Sequence, residues 1–453
     1  MKKKSITRRK FLKKTSFGAA GAALSVGGTT SIYANIVKQA DTPAILGGKP
    51  VRTKSLGGSW PIYDDTDVQI YLDAFHSKRW SEVGSSEKAF TTRFEKKYAE
   101  LMEVPYCVTT MNGTSSLYAS LHVLGVGPGD EVIVPPYTFI ATINPVLLLF
   151  ALPVFVDTDP ETFMINADLI EERITERTKA ILPVQIGGGA ADMDKIMSIS
   201  KKHNIPVVED ACQAWLGEWR NKKLGAIGDL GCFSFQSSKN ITCGEGGAII
   251  GNDEYLMNRC RAFVSYGRDP KGKEAYPGLN LRMSPFQAAV GLGQIRRFEE
   301  QQTLRSKNAE YLDELLEDIP GFEPHKRYPG QTRHAYHRYF MRYNKEYFNN
   351  LPRSKFIIAL RAEGVSMGPM YGTTPLNKQP FIEYHLNLPT FQNIFSKQRL
   401  NKYRRENNCP ENDKICEETG LMMGQRVLLG TKKDMEDIAE AVAKIQKYSS
   451  KLL

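Results

Sequence analysis

Lys239 stands just past a short aromatic run, Phe233-Ser234-Phe235. A polar turn and a glycine-rich return, Gly244-Glu245-Gly246-Gly247, follow it into the apolar stretch Ala248-Ile249-Ile250. A lysine presented between two strands by small, flexible neighbours is reachable, free to swing and partly desolvated, so its amine can be neutral and nucleophilic. An ordinary surface lysine in a loop is the alternative, since lysine is mostly exposed. Its company favours chemistry. The run Ile205-Pro206-Val207-Val208 ends in Glu209-Asp210, with Asp210 lying 29 residues before Lys239. In an open α/β sheet, ligand groups gather at the carboxyl ends of the strands, so Asp210 and Lys239 are expected on one edge. That pair suits pyridoxal 5'-phosphate. Lys239 would hold its aldehyde as a Schiff base, and Asp210 would keep the pyridine nitrogen protonated so that the ring draws electrons.

Two further stretches fit that chemistry. The strand-like Tyr106-Cys107-Val108-Thr109-Thr110 ends in Met111-Asn112-Gly113-Thr114-Ser115-Ser116, after which a helix begins. A small, hydroxyl-rich turn at a helix start offers free N–H groups and the positive end of the helix dipole to an anion. Gly113, Thr114 and Ser115 are therefore candidates for the phosphate. The plainer reading is a helix cap by Thr114 or Ser115. Phe139 lies just past the strand Glu131–Pro135, where it can stack on an aromatic cofactor or pack into the core. The triple glycine Gly187-Gly188-Gly189 lacks the spacing of a dinucleotide-binding loop.

These residues need a scaffold. Between 106 and 250, apolar strand-like runs alternate with helical patterns, predicted over 140–150, 168–174 and 193–203. That alternation predicts a mostly parallel sheet covered on both faces. Upstream, helices are expected over 64–79 and 87–103. Downstream, one is expected from Pro285 to Phe298, with room to extend to Ile319, and a closing amphipathic helix spans 436–448. Residues 391–418 are polar and charged and read as an insertion or exposed helix. At 453 residues the chain is long enough for two domains. The expected division is a lead-in over 35–60, a large domain over 61–300 and a smaller C-terminal α/β domain over 301–453.

The net charge is +10, which invites a nucleic-acid reading. Eight of those charges are Lys2, Lys3, Lys4, Arg8, Arg9, Lys10, Lys13 and Lys14, with no acidic residue in 1–34, which leaves +2 for everything else. The basicity belongs to a tail rather than a binding face, so no nucleic-acid partner is expected. Thr7-Arg8-Arg9-Lys10-Phe11-Leu12-Lys13, the mildly apolar Phe17–Gly28 and Ile32-Tyr33-Ala34 read together as a twin-arginine export signal. That predicts a periplasmic or otherwise extracytoplasmic destination, with the membrane met only during export. Seven scattered cysteines do not form a disulfide framework, although Cys409 and Cys416 are close enough in sequence to bridge. No cysteine or histidine spacing suits zinc, and none of the candidate residues is a metal ligand.

Glu209-Asp210-Ala211, Ser234-Phe235 with Lys239-Asn240 and Gly244-Glu245-Gly246-Gly247, Thr138-Phe139 with Ala141-Thr142, and Arg282-Met283 with Gln287-Ala288-Ala289 resemble the DegT-type sugar aminotransferases. The resemblance covers about 45–450. It implies fold type I, a large domain with a mostly parallel seven-stranded sheet and a smaller C-terminal domain. It also implies pyridoxal phosphate on Lys239, with Asp210 at the pyridine nitrogen. Gln213 would lie near the cofactor's phenolic oxygen, Thr114, Ser115 and Ser234 on its phosphate, and Phe139 on its ring. Asn280 resembles the residue that such enzymes send to the partner subunit's phosphate, which implies a homodimer with shared active sites. The implied reaction moves an amino group from glutamate or glutamine to a keto-sugar or keto-cyclitol. Where the family carries a histidine-containing segment, this chain has Val184-Gln185-Ile186-Gly187-Gly188-Gly189. That departure leaves room for a non-catalytic sugar- or cofactor-binding protein, and a lyase or dehydratase on the same fold is the third reading.

Overall fold

The computed structural model describes residues 42–81, 86–269, 272–369 and 374–453. The expected export signal, residues 1–34, and the first part of the lead-in, 35–41, lie outside the described residues. Seven strands form the main layer: β1 (Tyr106–Thr110), β2 (Glu131–Val134), β3 (Leu152–Phe155), β4 (Thr178–Ile181), β5 (Val208–Asp210), β6 (Leu230–Ser234) and β7 (Gly247–Gly251). β1, β7, β6 and β5 pair in that order, and β4, β2 and β3 form a second group. Parallel bridges Ile181–Val207 and Val184–Asp210 join the two groups, giving the order β1-β7-β6-β5-β4-β2-β3. Only β7 runs against the others. The mostly parallel seven-stranded sheet is the one expected, and every strand except β4 is buried throughout or nearly so, as a sheet covered on both faces requires.

The helix Pro285–Leu316 begins as its sequence dictates. Ser284 and Gln287 form a reciprocal capping box, and Pro285 occupies the first turn, where its missing N–H costs nothing. It buries Ala288, Ala289 and Phe298 in the core beneath the large sheet. Ala309, Leu312 and Leu316 lie in a separate core with the smaller sheet. That sheet consists of β8 (Phe322–Pro324), β9 (Arg338–Tyr343) and β10 (Gly420–Gly424), with β9 central. The helices Arg353–Ala362 and Lys432–Tyr448 supply the rest of its core, so the smaller unit is α/β as predicted.

Several local expectations are corrected. The helix placed over 140–150 is a 3-10 turn, Ile140–Thr142, then a short helix, Asn144–Leu148, in which Pro145 takes the first turn. The helix placed over 168–174 is two 3-10 turns, Ala167–Leu169 and Glu171–Arg173. Residues 391–418 are not a free excursion. The helices Pro389–Ile394 and Lys397–Glu406 bury Phe391, Leu400 and Tyr403 against Val134, Leu152 and Phe155. Arg399 reaches the wholly buried Glu131 at 2.5 Å, and the Tyr403 hydroxyl donates to the Pro153 carbonyl. The segment thus covers the β3 edge of the sheet, which would otherwise offer unpaired backbone to another chain. Cys409 and Cys416, read as able to bridge, are both buried free thiols.

His325, His334 and His337 are all buried around the start of β9. Burial pushes each below its ordinary range, His325 to about 3 with Arg327 adding to the effect. His334 Nδ1 accepts the Tyr336 N–H, so its proton sits on Nε2. The linkage follows. Below pH 6.5 the unfolded chain gains protons that the folded chain refuses, so stability is full above 6.5 and declines as pH falls towards 3. At about 1.4 kcal/mol per pH unit for one histidine, His325 alone should cost roughly 2 kcal/mol between pH 6.5 and 5. Thermal melts across that range should show a shallower decline in His325→Gln. Equal slopes would show that His325 does not carry the acid sensitivity.

Candidate active site

Six parallel strands bring their carboxyl ends to one edge, and the predicted residues other than Asn280 gather there. Asp210 ends β5. Its neighbour Glu209 faces the other way and is held by four donors at 2.8 Å: Gln185 Nε2 and the N–H groups of Gly225, Ile227 and Gly228. Alternation along a strand separates the two acids. Glu209 is a buried structural anchor. Asp210, also buried, accepts from Thr142 Oγ1 at 2.7 Å and from the Cys212 N–H at 3.2 Å. Thr142 gives its proton to Asp210, so Thr138, 2.7 Å away, donates to Thr142. This relay ties the turn after β2, including Phe139, to the end of β5. Phe139 itself is 51% exposed, so core packing is not its role.

Lys239 follows β6 in a tight turn, with its N–H donating to the Gln236 carbonyl at 2.9 Å. Its Nζ lies 5.9 Å from the Trp215 ring. Burial lowers its proton affinity. The Cys212 thiol and the Asp210 carboxylate oppose that shift, and Arg338 adds to it. A lowered amine has the larger neutral, nucleophilic fraction at neutral pH. Trp215 and His337 wall this corner, with ring centroids 5.7 Å apart and nearly perpendicular. Asn240 donates from Nδ2 to the Ala335 carbonyl at 2.8 Å. Its Oδ1 therefore faces His337 Nδ1 at 3.2 Å, which places the imidazole proton on Nδ1. The segment 334–337 thus fastens the lysine loop from above. Neither Trp215 nor His337 was among the residues that the sequence marked for the site. The only signal for Trp215 was its place in the stretch that follows Asp210.

The helix Gly113–Val123 starts beside Ser234. A Cβ on Gly113 would stand 2.8 Å from both Ser234 Cβ and Cys212 Sγ, so only glycine allows the helix to approach β6 this closely. The cap is Asn112, whose side chain accepts the Ser115 N–H at 2.8 Å, and not Thr114 or Ser115. Thr114 and Ser115 are therefore half-buried first-turn residues, and the N–H groups of Gly113 and Thr114 have no intrahelical acceptor. Ser234 lies against this turn, as expected. Asn280 stands apart on an exposed loop, where the next residue, Leu281, accepts the Met111 N–H.

The departure at 185–189 has a packing explanation. Gln185 spans Glu209 and the Ala191 N–H, while the Gly187 N–H donates to Gln213 Oε1 at 3.0 Å and fixes that side chain. Gly187 has φ of +63°, and a Cβ there would stand 2.1 Å from the Phe340 ring. The triple glycine lets β9 close over the sheet edge, and residues 185–189 are all buried. The assembled set can hold a phosphate at the helix start, an aromatic ring against Phe139, a basic ring nitrogen at Asp210 and an aldehyde at Lys239.

Residues 62–398 match the model of the DegT/DnrJ/EryC1/StrS aminotransferase family. An L-glutamine:2-deoxy-scyllo-inosose aminotransferase of Streptoalloteichus tenebrarius is 33% identical over 431 residues, spanning 90% of this chain and 98% of that protein. A GDP-perosamine synthase of Caulobacter vibrioides is 38% identical over 315 residues, spanning 69% of this chain and 83% of that protein. Among solved structures, 3-amino-5-hydroxybenzoic acid synthase superposes with a TM-score of 0.74 at 27% identity, covering 88% of this chain and 99% of that one.

Proposed function

The chain belongs to the DegT/DnrJ/EryC1/StrS aminotransferase family, and from that premise we propose that it transfers an amino group from L-glutamine or glutamate to the ketone of a cyclitol or sugar. The observation that carries this reading is a half-buried amine of lowered proton affinity, Lys239, beside the buried carboxylate of Asp210 on one sheet edge. Bound pyridoxal phosphate supplies the carbonyl that bonds an amine and the ring that draws electrons from the adjoining carbon. The chain supplies the rest. Lys239 Nζ takes a proton from the donor's α-carbon and returns it on the product side. Asp210, held by Thr142 and the Cys212 N–H, keeps a proton on the pyridine nitrogen. Gly113, Thr114, Ser115 and Ser234 would hold the cofactor's phosphate, with Phe139 available to its ring and Gln213 to its phenolic oxygen. The non-catalytic reading rested on the 185–189 departure, which packing accounts for, so nothing in the site favours it over catalysis.

Identity to the inosose enzyme across nearly both chain lengths favours a cyclitol ketone over a nucleotide-linked sugar. Protein lacking residues 1–34, incubated with pyridoxal phosphate, should develop a visible absorption band that L-glutamine bleaches and a keto-cyclitol such as 2-deoxy-scyllo-inosose restores. A band that no amino donor bleaches would refute the transfer.

We also propose a homodimer. Tyr71, Phe75 and Trp80 are 41%, 46% and 54% exposed and cluster with Phe286, an apolar face suited to a second copy, and exposed Asn280 would reach the partner's phosphate. Sedimentation at one chain mass would count against it. Residues 1–34 are proposed to direct export by the twin-arginine route. Activity confined to the cytoplasmic fraction of cells making the full chain would exclude that.

A further inference from the structure

The lead-in is a strap. Glu363, wholly buried, accepts the Ala44 N–H at 2.7 Å and the Val51 N–H at 3.0 Å and pairs with buried Lys444. Arg52 bridges Asp434 and Asp437 at 2.9 Å each. Leu56 enters the core of the smaller sheet. The strap then crosses to the large sheet, where Gln294 and Arg297 donate to the Ile62 carbonyl and Asp64 caps the helix Asp65–His76. Between these anchors stands Trp60. Its indole N–H donates to the Ser237 carbonyl at 2.8 Å, two residues before Lys239 and 177 residues away in sequence.

The other face of the strap meets an unusual cation. Arg305 is wholly buried on the helix Pro285–Leu316, and its guanidinium lies 5.6 Å from the Trp60 ring centroid. Its Nε and Nη2 share Gln425 Oε1, and Nη1 has no hydrogen-bond partner among the described residues. A buried guanidinium normally has an acid beside it. None pairs with this one among the described residues, and burial pushes its pKa down to about 9. The Trp60 π-face is the contact that compensates the charge, and Gln425 ties the same guanidinium to the end of β10. Trp60 is therefore held from behind by Arg305 and aims its single donor at the lysine turn.

We propose that Trp60 is a positioning residue for Lys239: its indole N–H pins the Ser237 carbonyl and, through the strap, sets the lysine loop relative to the smaller sheet. This rests on the reading of Lys239 as the reactive amine. Within the turn, Ser238 N–H and Oγ bond Gln236 Oε1, and the Lys239 N–H bonds the Gln236 carbonyl, so these contacts fold the turn upon itself without fixing it to the body. The external ties are Trp60 on one side and the contacts of Asn240 with Ala335 and His337 on the other. Removing one leaves the amine hinged at the other.

Trp60→Phe keeps a ring over Arg305 and deletes only the donor, whereas Trp60→Ala deletes both. Hydrogen exchange in the cofactor-free protein reads the turn directly. In Trp60→Phe, amides of 236–243 should exchange roughly 5- to 10-fold faster, the factor set by losing one hydrogen bond, with the rest of the chain and the melting temperature unchanged. After loading with pyridoxal phosphate, kcat should fall by a similar factor while KM for glutamine holds. Trp60→Ala should add a lower melting temperature. Exchange within two-fold of the unmutated protein, or acceleration spread evenly along the chain, overturns the proposal. Failure of the unmutated protein to form the cofactor band would instead sink the reading of Lys239 itself, so the two failures are distinguishable.

Discussion

Lys239→Ala is expected to lower kcat/KM by a factor on the order of 10⁴ or more, because it removes both the amine that holds the cofactor and the base that moves the donor's proton. The fold should survive. The side chain is half-buried in an irregular turn, and its ammonium form is disfavoured by burial, so truncation removes a strained charge rather than a packing element. Steady-state turnover with glutamine and a keto-cyclitol, alongside a thermal melt, checks this. The melt should be unchanged or slightly higher, and the visible band should be absent at every cofactor concentration. Lys239→Arg sharpens the test. Arginine keeps a positive charge near Asp210 and Trp215 but cannot deprotonate or bond an aldehyde. It should be as inactive as alanine. Retention of a few per cent of activity in either variant would show that another group performs the chemistry.

The second large effect is at Asp210. Asp210→Asn should lower kcat roughly 10²- to 10³-fold, the scale of removing one partner from a buried charge pair. The substitution keeps the shape. The amide oxygen can still accept the Cys212 N–H, and the amide nitrogen can donate to Thr142 Oγ1, reversing the relay through Thr138. Folding should therefore hold while the site loses its negative charge, and a neutral amide cannot keep a proton on the pyridine nitrogen. The loss should fall on kcat, with KM for glutamine little changed, because the affected interaction strengthens as charge develops. Turnover within ten-fold of the unmutated protein would mean that Asp210 does not face the ring nitrogen.

What the sequence determines here is local. The apolar runs, each broken by a polar turn, place Asp210 at a strand end and Lys239 in the turn that follows another. The Ser284-Pro285-Gln287 start sets the long helix, and the small residues at 113–115 mark a helix N-terminus. Each depends on neighbours a few residues away, and backbone propensity and capping act over that distance. Even there, near-equivalents confuse the reading. Asn112, Thr114 and Ser115 can all cap a helix, and only the extended backbone at Asn112 selects among them. The patterns at 140–150 and 168–174 carry helical spacing but break at Ile143, just before Pro145 opens a new helix, and around Ile170, and tighter turns form at 140–142, 167–169 and 171–173. Only the tertiary structure decides the remainder. Trp60 on Ser237, His337 on Asn240 and Phe340 over Gly187 join residues about 100 to 180 positions apart, and no local signal encodes such a partner. The reason lies in chain closure. Once the sheet and the strap have met the entropy of ordering, the contacts at their meeting points are selected by shape and by the demand that buried polar groups find partners. The chemistry of the site is written in short stretches of sequence, and the grip that aims it is written across the whole fold.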